Sequence, residues 1–190
     1  RQSMNERWTE AGLARLWADI EQRMGVCPSF FKLAAPEPVI ARGLFDLAKF
    51  AYLESPLPAL FKERLFTYLS RFCSVRYCLS RHAAFLLGEG RIAGDASSPA
   101  LSAAEVAELI EEPYPEPDAI PGILAELERA DPLFQWPPFT SPTDRLVRVA
   151  CAVVFLQLES AERASRALRR LVGSQRYEQL MLLLAFVRMA

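Results

Sequence analysis

The sequence contains one histidine, His82, and it follows Cys78 by four residues in Phe72-Cys73-Ser74-Val75-Arg76-Tyr77-Cys78-Leu79-Ser80-Arg81-His82. Residues i and i+4 share a face of a helix. A thiol and an imidazole so placed can pair, the imidazole taking the thiol proton and leaving a nucleophilic sulfur. Glu63, in the apolar run Leu60-Phe61-Lys62-Glu63-Arg64-Leu65-Phe66, is a third titratable group that could orient the imidazole or relay protons. Cys73 is the nearest second thiol. It could resolve an oxidised Cys78 only if the intervening loop folds back.

Two other readings of these residues compete with thiol chemistry. Cys78 could be a small core residue and His82 a buried polar group bonded to a neighbour. Cys73, Cys78, His82 and a carboxylate could also supply four metal ligands. Structural zinc sites use tighter cysteine pairs and a second, separate pair, so no metal is expected. No Gly-rich phosphate loop or paired-histidine motif occurs, so no cofactor is expected either.

The elements that must hold these side chains read as helices. Glycines are few and no segment sustains strand alternation, which predicts an all-α fold. A first helix spans Trp8 to Met24, with Leu13, Leu16, Trp17, Ile20 and Met24 at helical spacing, and Gly25 ends it. After Pro36-Glu37-Pro38, a second presents Val39, Ile40, Leu44, Leu47, Ala48 and Ala51 as its buried stripe. A third runs from about Pro58 to Phe72 and carries Glu63. Ser74 can cap the next, which carries Cys78 and His82 and ends at Gly88-Glu89-Gly90. Cys78 then lies near a helix N-terminus, where the dipole favours a thiolate by ~1 kcal/mol or less. A short helix from Ser102 to Ile110 follows, with Glu105 in its first turn.

Eight of the 14 prolines fall between residues 113 and 142, so much of that stretch cannot be helix interior. Ile120 to Arg129 is a short amphipathic helix within it. Leu124, Leu127, Leu133, Phe134, Trp136 and Phe139 are apolar anchors that argue for a structured excursion. Ser141-Pro142 then opens an apolar helix through Leu158, followed by helices from Ala161 to Val172 and from Ser174 onward.

Composition narrows the partners. The formal net charge is −1, which lacks the basic excess that neutralises phosphates, so nucleic acid is not an expected partner. Arg166, Arg169 and Arg170 form a local patch that reads as a solvated helix face. The apolar stretches Val149 to Leu156 and Leu180 to Val187 fall short of the ~20 residues a spanning helix needs. The amino terminus has no apolar leader core. A cytoplasmic protein without a membrane partner is therefore expected. Cys27 and Cys151 read as small core residues. The 190 residues read as a single domain, with a signature region at 25–90, the proline-rich excursion at 113–142 and a helical part at 142–190. The apolar pattern running up to Ala190 without a cap suggests a last helix packed on a partner, or a fragment of a longer protein.

The stretch from Glu63 to His82 resembles the alkylhydroperoxidase-D-like family, also called the carboxymuconolactone decarboxylase superfamily. The family's redox signature is Glu, eleven residues, Cys, two residues, Cys, three residues, His. Here Glu63, Cys78 and His82 fill three of the four positions, and Val75 stands where the first cysteine would be. Tyr77 before Cys78 is also common in the family. Gly25-Val26-Cys27-Pro28-Ser29-Phe30 and Leu33-Ala34-Ala35-Pro36 resemble the lead-in to its core helices. Across Leu65 to Cys78, Ala93 to Ala96 and Tyr177 to Arg188 the chain is similar to the amino-terminal region of certain bacterial sensors. In those, such a domain precedes PAS and histidine-kinase domains.

The resemblance implies an AhpD-like helical bundle that tends to form homo-oligomers, with Cys78 as thiol, His82 as base and Glu63 as proton relay. It implies a sensory or regulatory input domain that is redox-responsive through Cys78. The alternative is a thiol-dependent alkylhydroperoxidase or disulfide reductase using the same residues. Val75 disfavours the complete dithiol cycle unless Cys73 substitutes.

Overall fold

In the computed structural model, which describes residues 10–73, 76–139 and 141–190, helical periodicity resolves into an all-α fold. The helices are α1 (Glu10–Met24), α2 (Ser29–Leu33), α3 (Pro38–Ala48), α4 (Ala59–Ser70), α5 (Arg76–Leu86), α6 (Ala103–Glu111), α7 (Ile120–Arg129), α8 (Pro142–Phe155), α9 (Ala161–Val172) and α10 (Ser174–Met189). A π-helical turn at Lys49–Leu53 continues α3, and a 3₁₀ turn at Pro117–Ala119 leads into α7. Among the described residues there is no strand, only an isolated bridge between Ile92 and Asp95. None of the described helices is long and apolar enough to cross a membrane. Trp8, Ser74 and Val75, and with them the expected Ser74 cap, lie outside the described residues.

The centre of the fold is α4. It packs on α5, α6, α8 and α10, and every residue from Phe61 to Ser70 is buried. Burying a large apolar side chain of this kind stabilises the fold by roughly 1.5–3 kcal/mol. Leu65 and Leu69 provide that gain from one face of the helix and Phe66 from the adjoining one.

The same helix also buries three consecutive charges, Lys62, Glu63 and Arg64. A buried charge without partners is expensive. Successive residues turn about 100° around a helix, so the three diverge and each finds its own partners. Lys62 Nζ donates to the carbonyls of Leu53 (3.3 Å) and Ser55 (3.1 Å). Arg64 Nη1 donates to Asp144 Oδ2 at 3.0 Å, in a network that Arg148 and Glu112 complete. Glu63 faces the interior between α4 and α5.

The buried stripe of α3 is rotated from the sequence expectation. Ala48 and Ala51 are buried as expected, but Val39 and Ile40 are more than half exposed, and Ala41 and Phe45 are buried in their place. The cause is α2, which periodicity alone did not reveal. Its Phe31 meets Phe45 edge-on, with ring centroids 5.7 Å apart. The small Ala41 and Ala48 let α3 sit close to its neighbours.

The proline-rich excursion is packed through α7, which contacts α8 and α9. Leu124 and Leu127 are fully buried. Trp136 lies on Phe61 with ring centroids 4.2 Å apart, and Leu133 N–H donates to Leu171 O at 2.8 Å. Phe134 corrects one expectation: it is 95% exposed and anchors nothing. Helix starts follow the expected chemistry. Ser102 and Glu105 form a reciprocal capping box at α6, and Ser141 Oγ accepts from Thr143 N–H at α8.

Candidate functional site

Glu63 leaves the middle of α4 with no exposed surface, and three groups converge on its carboxyl. Oε1 lies 2.5 Å from His82 Nδ1 on α5. Oε2 accepts from the Tyr52 hydroxyl and, at 2.7 Å, from the Ala93 N–H. Three donors on one buried carboxyl is full satisfaction of a group that would otherwise carry a large desolvation cost. With Nδ1 turned to Glu63, Nε2 is the ring nitrogen left for another partner. Nε2 has no hydrogen-bond partner among the described residues.

Each partner is delivered by a distinct element. Tyr52 comes from the π-helical turn, whose wider bond runs from Glu54 N–H to Lys49 O at 2.7 Å. The turn sends Tyr52 inward and leaves Phe50 63% exposed. Burial, followed by the neighbouring Glu63, pushes the Tyr52 phenol well above its ordinary value, which keeps it a donor.

Ala93 comes from the loop after α5 and has a positive φ of 45°. That loop is held where Gly90 passes against α1. Arg91 N–H donates to Met24 O at 2.7 Å. A Cβ on Gly90 would meet the Phe85 ring at 2.5 Å and Met24 O at 2.9 Å. Gly90, which the sequence marked only as a helix end, is thus required by close approach.

His82 is held by aromatic rings. It stacks on Phe66 with centroids 3.5 Å apart and meets Tyr52 and Phe85 edge-on. Beside it is a cavity of ≈ 30 Å³, lined by Cys78, His82, Tyr52, Phe66, Phe186 and Ala190 among others. Cys78 therefore shares a cavity with His82, as the i, i+4 spacing implied. Among the described residues no hydrogen bond joins the two. The Cys78 Sγ–H donates to the Ala190 carbonyl at 3.3 Å.

The Cys78 thiol is pushed up by burial and, secondarily, by the nearby Cys73, the reverse of what a helix N-terminus would do alone. Cys73 is half-buried at the end of α4 and close enough for its charge to act on Cys78. Both thiols are free. Of the other two cysteines, Cys151 is fully buried and Cys27 is half-buried. Among the described residues no three potential ligating side chains group to hold a metal ion.

The structure thus brings Glu63 and His82 into contact and places Cys78 beside them. Sequence reasoning missed Tyr52, Ala93, Phe186 and the Ala190 carbonyl. Tyr52 and Phe186 appear in the sequence only as members of apolar helical runs. Ala93 and Ala190 act through main-chain groups that side-chain identity does not reveal. No family model matches this chain, and no curated protein or solved structure is similar to it.

Proposed function

We propose that this protein is an AhpD-like sensory or regulatory input domain of a bacterial signalling protein, responsive to oxidants through Cys78. One observation carries the reading: the buried Cys78 thiol lines the same cavity as His82, while its own hydrogen bond runs to the Ala190 carbonyl at 3.3 Å. A carbonyl acceptor stabilises the protonated thiol and disfavours the thiolate. A protonated resting thiol reacts slowly and suits a sulfur that records an event rather than one that turns over. Glu63 and Tyr52 hold His82 in the tautomer needed to take the proton when an oxidant arrives. The signalling context, with PAS and kinase segments downstream and self-association of the domain, rests on the resemblance described above.

Oxidation would convert a donor thiol into a sulfenic acid, larger by one oxygen. The bond to Ala190 would then have to rearrange at the end of α10. That helix contacts α4, α8, α9 and the π-helical turn, so a shift there reaches much of the fold.

The second reading, a thiol peroxidase, is favoured by one observation, that Cys73 is a second free thiol whose ionisation would oppose that of Cys78. The experiment that separates them follows peroxide consumption with dithiothreitol as donor, alongside trapping of sulfenic acid at Cys78. The sensor reading expects one oxidation per chain and no sustained consumption. Continuous turnover that is lost in Cys78→Ser would replace it with the peroxidase reading. Failure of Cys78 to oxidise would remove both.

A further inference from the structure

We infer that the Cys78 cavity selects hydrogen peroxide over hydroperoxides carrying a bulky organic group. The inference rests on the proposed reactivity of Cys78 and names the oxidant that the site admits. A cavity needs about 10–15 Å³ to hold one water-sized molecule. At ≈ 30 Å³ this one has room for two oxygen atoms and little more. A tert-butyl group adds four carbon atoms, more than this volume holds.

The inner aromatic walls resist moving. Phe66 and Phe186 meet edge-on with centroids 5.9 Å apart, and Tyr52 stacks on Phe186 at 6.1 Å. Phe66 and Tyr52 are each 1% exposed and Phe186 5%. Side chains packed to this degree do not yield space cheaply.

The polar groups also fit a peroxide. His82, 8% exposed, lines the cavity with Nε2 unpartnered, and Cys78 Sγ lies on the same wall. Once Nε2 has taken the thiol proton, its N–H can donate to the peroxide oxygen that will leave while the neighbouring oxygen faces the sulfur. In the reaction an Sγ–O bond forms and the O–O bond breaks. The thiol proton passes through Nε2 to the departing oxygen, which leaves as water. Sulfur is oxidised to the sulfenic acid, and the peroxide is reduced.

The test compares the rates at which hydrogen peroxide and tert-butyl hydroperoxide oxidise Cys78 in the 190-residue chain, read by mass spectrometry of the dimedone-trapped residue. The same ratio is measured in urea, where the cavity is gone and only intrinsic reactivity remains. Folded protein is expected to favour hydrogen peroxide by about tenfold or more beyond the urea ratio. Phe186→Ala, or the smaller change Phe186→Leu if the first fails to fold, is expected to narrow that ratio by admitting the larger reagent. Equal ratios in folded and unfolded chain would overturn the selection while leaving Cys78 a reactive thiol. Oxidation by neither reagent would overturn the functional reading and the selection together.

Discussion

His82 Nδ1 lies 2.5 Å from Glu63 Oε1, a contact that crosses from α5 to α4 over nineteen residues of sequence. It does two things at once. It satisfies a charge-bearing group at the centre of the fold, and it leaves Nε2 as the imidazole nitrogen without a partner among the described residues. Stability and candidate chemistry are therefore coupled at this point. Removing the carboxyl should show in both.

Glu63→Ala leaves the Tyr52 hydroxyl, the Ala93 N–H and His82 Nδ1 without their shared acceptor. Each buried orphan costs about 1–3 kcal/mol, so the variant is expected to lose about 3 kcal/mol or more. Tyr52→Phe removes one donor and leaves Glu63 with two, at a cost of about 1 kcal/mol. Urea denaturation of the two variants checks the order. A Glu63→Ala protein within about 1 kcal/mol of wild type would mean that the network stabilises nothing.

Much of this arrangement is legible in the sequence, for a local reason. The His82–Cys78 neighbourhood follows from helical spacing, and α9, from Ala161 to Val172, follows from periodicity and the Gly173 that ends it. Glu63 could be named as a candidate from its residue type, but its pairing with His82 could not be read from periodicity, because α4 is buried on every side and has no single apolar stripe to orient it. The α3 stripe was misread for a related reason. Hydrophobicity ranks Val39 and Ile40 above Ala41, but the contact of Phe45 with Phe31 turns the face carrying Ala41 and Phe45 inward. Tyr52 depends on a π-helical turn, which adds one residue to the turn and shifts the register by an amount that no periodicity template contains.

Gly90 separates close approach from helix termination. A methyl group there would lie 2.5 Å from a Phe85 ring that is itself fully buried, at a φ of +133°. Gly90→Ala is expected to destabilise by roughly 2 kcal/mol or more. It should also loosen the loop that presents Ala93 to Glu63. Gly43→Ala is the matched control. It lies within α3, its added methyl would meet nothing within 4 Å, and it is expected to be neutral or to gain about 0.5–1 kcal/mol. Thermal denaturation of both variants reads the difference. Equal effects would mean that the loop is not held by close packing at Gly90.

Lys62 gives the fold a pH dependence of defined sign. Its ammonium is buried, and burial lowers its pKa from the ordinary 10.5 to about 8, partly opposed by Glu63 and Asp95. Between those two values the unfolded chain still holds the proton while the folded chain has released it. Stability from this group therefore rises with pH from about 8 to 10.5, and the cost of burying the charge is fully present below 8. The buried thiols of Cys78 and Cys151 and the Tyr52 phenol act in the opposite direction at alkaline pH, because burial pushes them up. The group is isolated by the difference between wild type and Lys62→Met. The variant leaves the Leu53 and Ser55 carbonyls without a donor, which offsets its stability by an amount independent of pH. Urea denaturation at pH values on either side of 8 is expected to move the difference in favour of wild type as pH rises. Parallel stability curves for the two proteins would show that Lys62 keeps its proton in the folded state throughout that range.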